Sequence, residues 1–180
     1  RQMCIRDSCY SELISTNVDM VLENVASASL TNRGLIFFGG GFARYIDGPE
    51  TNVKTVNIYN VNTNQWTTSQ LSVGRWEMAG AALNTKGLVF FGGGAYLPNG
   101  DKGVNQVLSN IVDIYDVNTN TWTVQYLSQN RSGVAATALD KENLVFFAGG
   151  YITVNFGNPE TSTNKIDIYN ATSNTWAIST

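Results

Sequence analysis

The chain has 180 residues, of which 43% are hydrophobic, 14% charged and 11% aromatic, a composition that suits one ordinary domain and excludes a disordered chain. Its net charge of −3, without a basic stripe, argues against a nucleic-acid partner. The absence of histidine excludes most zinc and copper enzymes and the histidine-based hydrolases, and the absence of an apolar run of about 18 residues predicts no membrane-inserted segment.

The first twenty residues differ from the rest of the chain. Residues 1–8, RQMCIRDS, are similar to translated sequencing-adapter read-through, and we treat 1–20 as a suspect leader. Residues 9–20 are also interpreted as the tail of a preceding repeat. Both cysteines, Cys4 and Cys9, lie in this segment, so cysteine usage assigns no cellular compartment.

From residue 25 onward the chain repeats the same four elements three times. Each repeat begins with a small-residue segment, continues with an apolar run that ends in glycines, and then carries a Tyr and, seven residues later, a Trp. The small-residue segments occupy 25–30, 79–83 and 134–139. The apolar runs are LIFFGGG at 35–41, LVFFGGG at 88–94 and LVFFAGG at 144–150.

Each of these elements is predicted to be a β-strand. The apolar runs are typical of strands covered on both faces, and the β-branched and aromatic segments around each Tyr are also typical of strands. The Asn-rich stretch between Tyr and Trp predicts a hairpin turn, because Asn and Asp tolerate positive φ and bond their own backbone. Alanine propensity would allow short helices at the small-residue segments, but their length and position favour an inner strand.

Four strands in every fifty or so residues indicate radially stacked sheets, as in a β-propeller. The combination of paired glycines, Tyr and Trp resembles kelch repeats over residues 21–180. The residues that carry the resemblance are Gly39, Gly40, Gly92, Gly93, Gly149, Gly150, Tyr59, Tyr115, Tyr169, Trp66, Trp122 and Trp176. WD repeats are disfavoured because their Gly-His element needs histidine.

The resemblance implies an all-β fold, a β-propeller fragment of three four-stranded antiparallel kelch-type blades. The blades are expected at 21–70, 71–127 and 128–180. Known propellers use about four to eight blades, so three copies predict a piece of a larger ring or a chain that self-associates.

The glycine-rich runs predict no phosphate site. GGGAYLPNGDKG at 92–103 has neither the spacing of a P-loop nor the hydroxyl residue that follows its Lys. We therefore assign the glycines to backbone packing and expect no cofactor, no metal and no catalytic residue.

Two arginines, Arg75 and Arg131, each precede the last Leu of an inner strand by eight residues, whereas the first repeat has Leu22 there. The resemblance implies that this link lies on one face of the ring, where a guanidinium can bind a ligand carboxylate. The alternative is a structural hydrogen bond to loop carbonyls. Trp76 has no counterpart in the other repeats and is either a lid on apolar surface or a binding anchor.

The segments 42–54, 95–109 and 151–163 are interpreted as long variable loops on a rigid scaffold, where binding residues concentrate. Ordinary loop packing is the alternative for their side chains. The candidate ligand-binding side chains there are Phe42, Arg44, Tyr45, Tyr96, Tyr151 and Phe156.

The function predicted from these observations is a non-catalytic kelch-repeat module that binds a protein or peptide through loops on one face. One alternative is a carbohydrate-active or carbohydrate-binding propeller of the same type, and another is a structural spacer in a larger extracellular or cell-surface protein. The expected partners are a protein or peptide ligand and further kelch repeats, either of the same chain or of a second copy.

Overall fold

A computed structural model describes residues 20–45, 50–98, 106–153 and 161–180, and within these ranges the chain is all β with no α-helix. In chain order the strands are β1 (Met20–Glu23), β2 (Ala26–Leu30), β3 (Leu35–Gly39), β4 (Phe42–Tyr45), β5 (Thr51–Asn52), β6 (Thr55–Asn60), β7 (Gln65–Gln70), β8 (Ala79–Leu83), β9 (Leu88–Gly92), β10 (Ala95–Tyr96), β11 (Val107–Leu108), β12 (Ile111–Asp116), β13 (Thr121–Tyr126), β14 (Ala135–Leu139), β15 (Leu144–Ala148), β16 (Ile166–Asn170) and β17 (Thr175–Ser179). A 3-10 turn, Thr31–Arg33, connects β2 to β3.

Twelve of these strands form three four-stranded antiparallel sheets. The first sheet has the order β2-β3-β6-β7, the second β8-β9-β12-β13 and the third β14-β15-β16-β17. Every neighbouring pair in these sheets is antiparallel, so each sheet is a meander. The predicted all-β class and the predicted four strands per repeat are confirmed, and the three sheets fall within 21–70, 71–127 and 128–180.

The last hairpin of each sheet has the same construction. In the first sheet Tyr59 is the register partner of Trp66, and the ring centroids lie 4.9 Å apart. The Tyr59 hydroxyl donates to the side-chain oxygen of Asn64 at 2.5 Å, and Asn64 has a φ of 55°. The Asn60 side chain accepts the amide of Asn62 at 2.9 Å, which confirms the Asn-based turn predicted from the sequence.

The other two sheets repeat this hairpin. Tyr115 donates to Asn120 at 2.5 Å, and Tyr169 donates to Asn174 at 2.7 Å. Each Tyr again lies opposite its Trp, Trp122 in the second sheet and Trp176 in the third.

The sheets stack face to face, with their innermost strands β2, β8 and β14 side by side. This approach requires small residues, since a Cβ on Gly80 in β8 would collide with the carbonyl of Ser27 in β2. The middle sheet is covered on both faces, and Phe90 and Phe91 are both 0% exposed. In the first and third sheets only one Phe of each pair is fully buried, because each of these sheets has a neighbour on one side only.

The glycines at the ends of β3 and β9 shape the contacts between sheets. A Cβ on Gly39 would lie 3.0 Å from the ring of Phe91, and a Cβ on Gly92 would lie closer still to the ring of Phe147. The missing side chain therefore lets an aromatic ring of the next sheet lie against the backbone. Directly afterwards Gly40, whose φ is 68°, turns the chain away from the sheet.

Two small sheets, β1-β4-β5 and β10-β11, lie beyond the glycine ends of the large ones. They occupy parts of the chain interpreted from the sequence as leader (Met20 in β1) and as loops (42–54 and 95–109). The difference has a physical reason: backbone groups in long connections need hydrogen-bond partners, and these segments provide partners for one another.

Candidate functional site

Arg75 lies just before β8, and its side chain is completely buried. Its Nη1 donates to the carbonyl oxygens of Gly93 at 2.6 Å and Ile111 at 2.7 Å, and its Nη2 forms a short ion pair with Asp113. Asp113 in β12 also accepts the amide of Ser72 at 2.9 Å. The pair therefore connects the segment before β8 to β12 and to the end of β9.

Arg131 makes the same contacts in the third sheet. Its Nη1 donates to the carbonyl oxygens of Lys165 at 2.8 Å and Gly149 at 3.1 Å, and its Nη2 forms a short ion pair with Asp167. Asp167 accepts the amide of Ser128 at 2.9 Å. Within the described residues the Nε of Arg131 has no partner.

These contacts give Arg75 and Arg131 a structural role and leave neither guanidinium exposed to a ligand. Both side chains make the hydrogen bonds to backbone carbonyls that were the structural alternative in the sequence analysis. Burial lowers the pKa of both guanidinium groups from its usual value, and the neighbouring carboxylates Asp113 and Asp167 oppose that shift.

Sequence reasoning missed both aspartates, although a signal was present. The first repeat has Leu22 at the arginine position and Asn57 at the aspartate position, so both charges are absent from the same repeat. The joint loss is expected if the two residues form one buried pair.

Trp76 follows Arg75 and covers an apolar cluster between the two small sheets. It is 7% exposed, and its ring lies 4.7 Å from the ring of Phe42 in β4. Its backbone pairs with that of Ala95 in β10, and Leu97 and Leu108 complete the cluster. Trp76 is thus a lid on apolar surface, and the residues around it form the wall of a cavity.

The cavity encloses about 350 Å³ beside the Phe42–Trp76 pair. Its lining consists of Glu23, Asn24, Phe42, Arg44, Glu50, Trp76, Glu77, Leu97 and Gln106. We call this the rim cavity. Among the described lining residues, three carboxylates and one guanidinium give a net negative charge.

Arg44 extends across the rim cavity from β4. Its guanidinium carbon lies 5.7 Å from the centre of the Phe42 ring, and its Nε lies 3.7 Å from Glu23 and 3.5 Å from Glu50. These side chains are substantially exposed, so the ion pairs add little stability.

Glu77 has a left-handed backbone with a φ of 55°. The positions equivalent to it in the other repeats are Asn24, with a φ of 55°, and Gly133, with a φ of 61°. Asn and Gly adopt this conformation readily, whereas Glu does so at a cost of about 1–2 kcal/mol. The carboxylate of Glu77 thus lies at the rim cavity although glutamate disfavours this backbone conformation.

The structure brings together some of the sequence-predicted ligand residues and separates others. Arg44 and Trp76 meet at the rim cavity, and Tyr96 packs against the same apolar cluster. Tyr151 is exposed beside the third sheet, where its backbone pairs with Ser132. The side chain of Tyr45 and all of Phe156 lie outside the described residues.

Two features are absent from the part of the chain that the structure describes. It contains no group of three or more His, Cys, Asp or Glu side chains arranged to hold a metal ion. Nor does it contain a helix that is long and apolar enough to cross a membrane.

These features define an all-β protein built from stacked four-stranded antiparallel sheets with a loop-side cavity. No protein-family model and no curated protein matches the chain. Among solved structures it is similar to one described as "Structure of YjhT", with a TM-score of 0.65 and 16% sequence identity. The match covers 88% of this chain and 52% of that one, so the chain spans about half the length of that solved structure.

Proposed function

We propose that this chain is part of a kelch-type β-propeller that binds a protein or peptide ligand at the rim cavity, without catalysis. The repeated hairpin, the buried Arg–Asp pairs and the side-by-side inner strands support the propeller part of the proposal. Likeness in fold to a solved chain about twice as long supports a larger ring.

The observation that carries the binding function is the chemistry of the rim cavity. Its volume of about 350 Å³ lies within the range of roughly 300–1,000 Å³ typical of ligand pockets. Among the described lining residues, the carboxylates of Glu23, Glu50 and Glu77 outnumber the guanidinium of Arg44. A Lys or Arg side chain fits this lining, because its positive charge meets the carboxylates.

The backbone of Glu77 supports the same assignment. Strained residues persist where the surrounding structure or a function maintains them. The other two repeats have Asn24, which also lines the rim cavity, and Gly133 at this position, and both residues relieve the strain; of the three, Glu77 alone has a carboxylate.

The two alternatives are less well supported. Sugar-binding sites use open aromatic faces, but Phe42 and Trp76 are each 7% exposed and face one another. A mere spacer needs no charged cavity and no strained Glu77.

The proposal can be tested with an arrayed peptide library. Each pool of the library has one fixed residue, and the array is probed with the labelled chain. We expect pools with fixed Lys or Arg to bind, and Glu77→Gln to weaken that binding about tenfold, as expected for loss of a charged hydrogen bond. The matched control is Glu142→Gln, since Glu142 is exposed at the opposite end of the strands.

A glycan array run in parallel distinguishes the alternatives. Binding to glycans but not to peptides would replace the proposal with the carbohydrate alternative. Peptide binding without a preference for basic residues, or unchanged in Glu77→Gln, would contradict the assignment of the rim cavity.

A further inference from the structure

The rim cavity already holds a cation of the chain itself, the guanidinium of Arg44. Its guanidinium carbon lies 5.7 Å from the centre of the Phe42 ring, and its Nε lies 3.7 Å from Glu23 and 3.5 Å from Glu50. Carboxylates and an aromatic ring are the partners that a guanidinium prefers in proteins. We call the three groups that surround it, Glu23, Phe42 and Glu50, the guanidinium seat.

Arg44 is held only loosely in this seat. Both of its ion-pair distances are longer than the roughly 2.7–2.9 Å of a charged hydrogen bond, and its side chain is 56% exposed. Pairs as exposed as these contribute little, because water solvates both charges. Arg75 differs, since its side chain is completely buried and donates to two carbonyl oxygens at 2.6 and 2.7 Å. Arg44 can therefore leave its position easily, whereas Arg75 cannot.

The cavity contains a third carboxylate that Arg44 does not neutralise. Glu77 lines the same cavity, and among the ion pairs of the described residues none includes Glu77. A cation from outside is attracted by this carboxylate but repelled by Arg44 as long as Arg44 remains in the seat. Tight binding of such a cation therefore requires Arg44 to move out into solvent.

We propose that Arg44 is an internal competitor, which occupies the guanidinium seat in the free chain and is displaced by an arginine side chain of the partner. The inference rests on the binding function proposed above, and it adds the head group of the ligand and a step that controls its binding. Arginine is favoured over lysine because a planar guanidinium pairs with carboxylates and lies against a ring, whereas an ammonium is a strongly hydrated point charge. The apparent affinity for the partner is lowered by the fraction of time that Arg44 occupies the seat.

Titrating the fixed-Arg and fixed-Lys peptide pools with the parent chain and with Arg44→Gln tests the proposal. We expect the parent to prefer the fixed-Arg pools, and Arg44→Gln to bind them about fivefold more tightly, the factor for a seat that Arg44 occupies about four-fifths of the time. The matched control is Arg33→Gln, which removes the same charge from an exposed arginine at the opposite end of the strands, bonded there to Asn118. This control should bind the pools as the parent does.

NMR of the Arg44 Nε–H group distinguishes displacement from charge repulsion alone. In a chain labelled with ¹⁵N-arginine, the Arg44 signal is the one that is missing from the spectrum of Arg44→Gln. Saturating the chain with the fixed-Arg pool that binds most tightly should move this signal to the position of free arginine, because the side chain then lies in solvent.

The possible outcomes separate this inference from the binding function on which it rests. Fixed-Arg pools that bind Arg44→Gln no more tightly than the parent would overturn the internal competitor and leave the binding function intact. An Arg44 signal that does not move at saturation, or a preference for the fixed-Lys pools, would do the same. If neither chain binds a basic pool, the binding function fails together with the competitor. Binding confined to pools with fixed Asp or Glu, and lost in Arg44→Gln, would overturn both and make Arg44 the anchor of an acidic ligand.

Discussion

At the scale of single residues, the buried Arg–Asp pairs are the least expected feature of this chain. A buried ion pair adds little net stability, but removing one partner leaves the other charge uncompensated. Arg75 and Asp113 are both completely buried, and each makes further bonds to the backbone. The first repeat is built without such a pair, with Leu22 and Asn57 in its place.

We expect Asp113→Asn to lower the free energy of unfolding by about 3–5 kcal/mol, because Arg75 would stay charged and buried without its counter-ion. The double variant Arg75→Leu/Asp113→Asn copies the first repeat, and its free energy of unfolding should fall less than that of Asp113→Asn. Urea unfolding measures both. Asp116→Asn is the control, since Asn60 and Asn170 occupy that position in the other repeats. A double variant less stable than Asp113→Asn would contradict the idea of one coupled pair.

At the scale of elements, the Tyr–Asn hairpin is repeated with its geometry intact. Burial raises the pKa of Tyr115 and Tyr169 above the ordinary value for tyrosine, and Asp116 raises that of Tyr115 further. The folded chain therefore holds these phenol protons more tightly than the unfolded chain does. Stability is fully present below the ordinary tyrosine pKa of about 10 and is lost as the pH rises through the raised pKa.

Urea midpoints measured at intervals from about pH 9 to pH 12 should fall above pH 10. The urea midpoint of the double variant Tyr115→Phe/Tyr169→Phe should fall less over that pH window, although this variant lacks the hydroxyl bonds to Asn120 and Asn174. Tyr126→Phe removes an exposed phenol, so its urea midpoint should change with pH as that of the parent does. A parent whose midpoint is flat across the window would contradict the linkage.

The elements that could be predicted from the sequence are those whose signal is local. All twelve strands of the large sheets are predicted by the repeat period, the β-branched residues and the Asn-rich turns. The short strands β1, β4, β5, β10 and β11 have no such signal, because their pairing depends on which backbone lies opposite. For the same reason, the sequence does not predict that the residues of the rim cavity lie together. Arg44 and Trp76 were predicted as separate candidates, and Glu23 and Glu77 become neighbours only when the small sheets form.

At the scale of the whole molecule, stability comes from sheet-on-sheet contact rather than from any one sheet. The middle sheet has both Phe90 and Phe91 fully buried, and each end sheet has a single buried Phe of its pair. Within the described residues, the two end sheets are thus covered on one face only, and the middle sheet is the best buried part of the stack.

The strand-ending glycines test how tightly the stack is packed. Gly92→Ala should lower the free energy of unfolding by about 1–3 kcal/mol, because its methyl would press into the Phe147 ring. Gly39→Ala should cost less, since its Cβ would lie 3.0 Å from the Phe91 ring, which can move by a few tenths of an ångström. Ala148→Gly, at the same position of a sheet with no later neighbour in the described chain, is the control and should change the free energy of unfolding by under about 1 kcal/mol. Equal losses in Gly39→Ala and Gly92→Ala would mean that strand propensity, and not the ring of the next sheet, sets the cost.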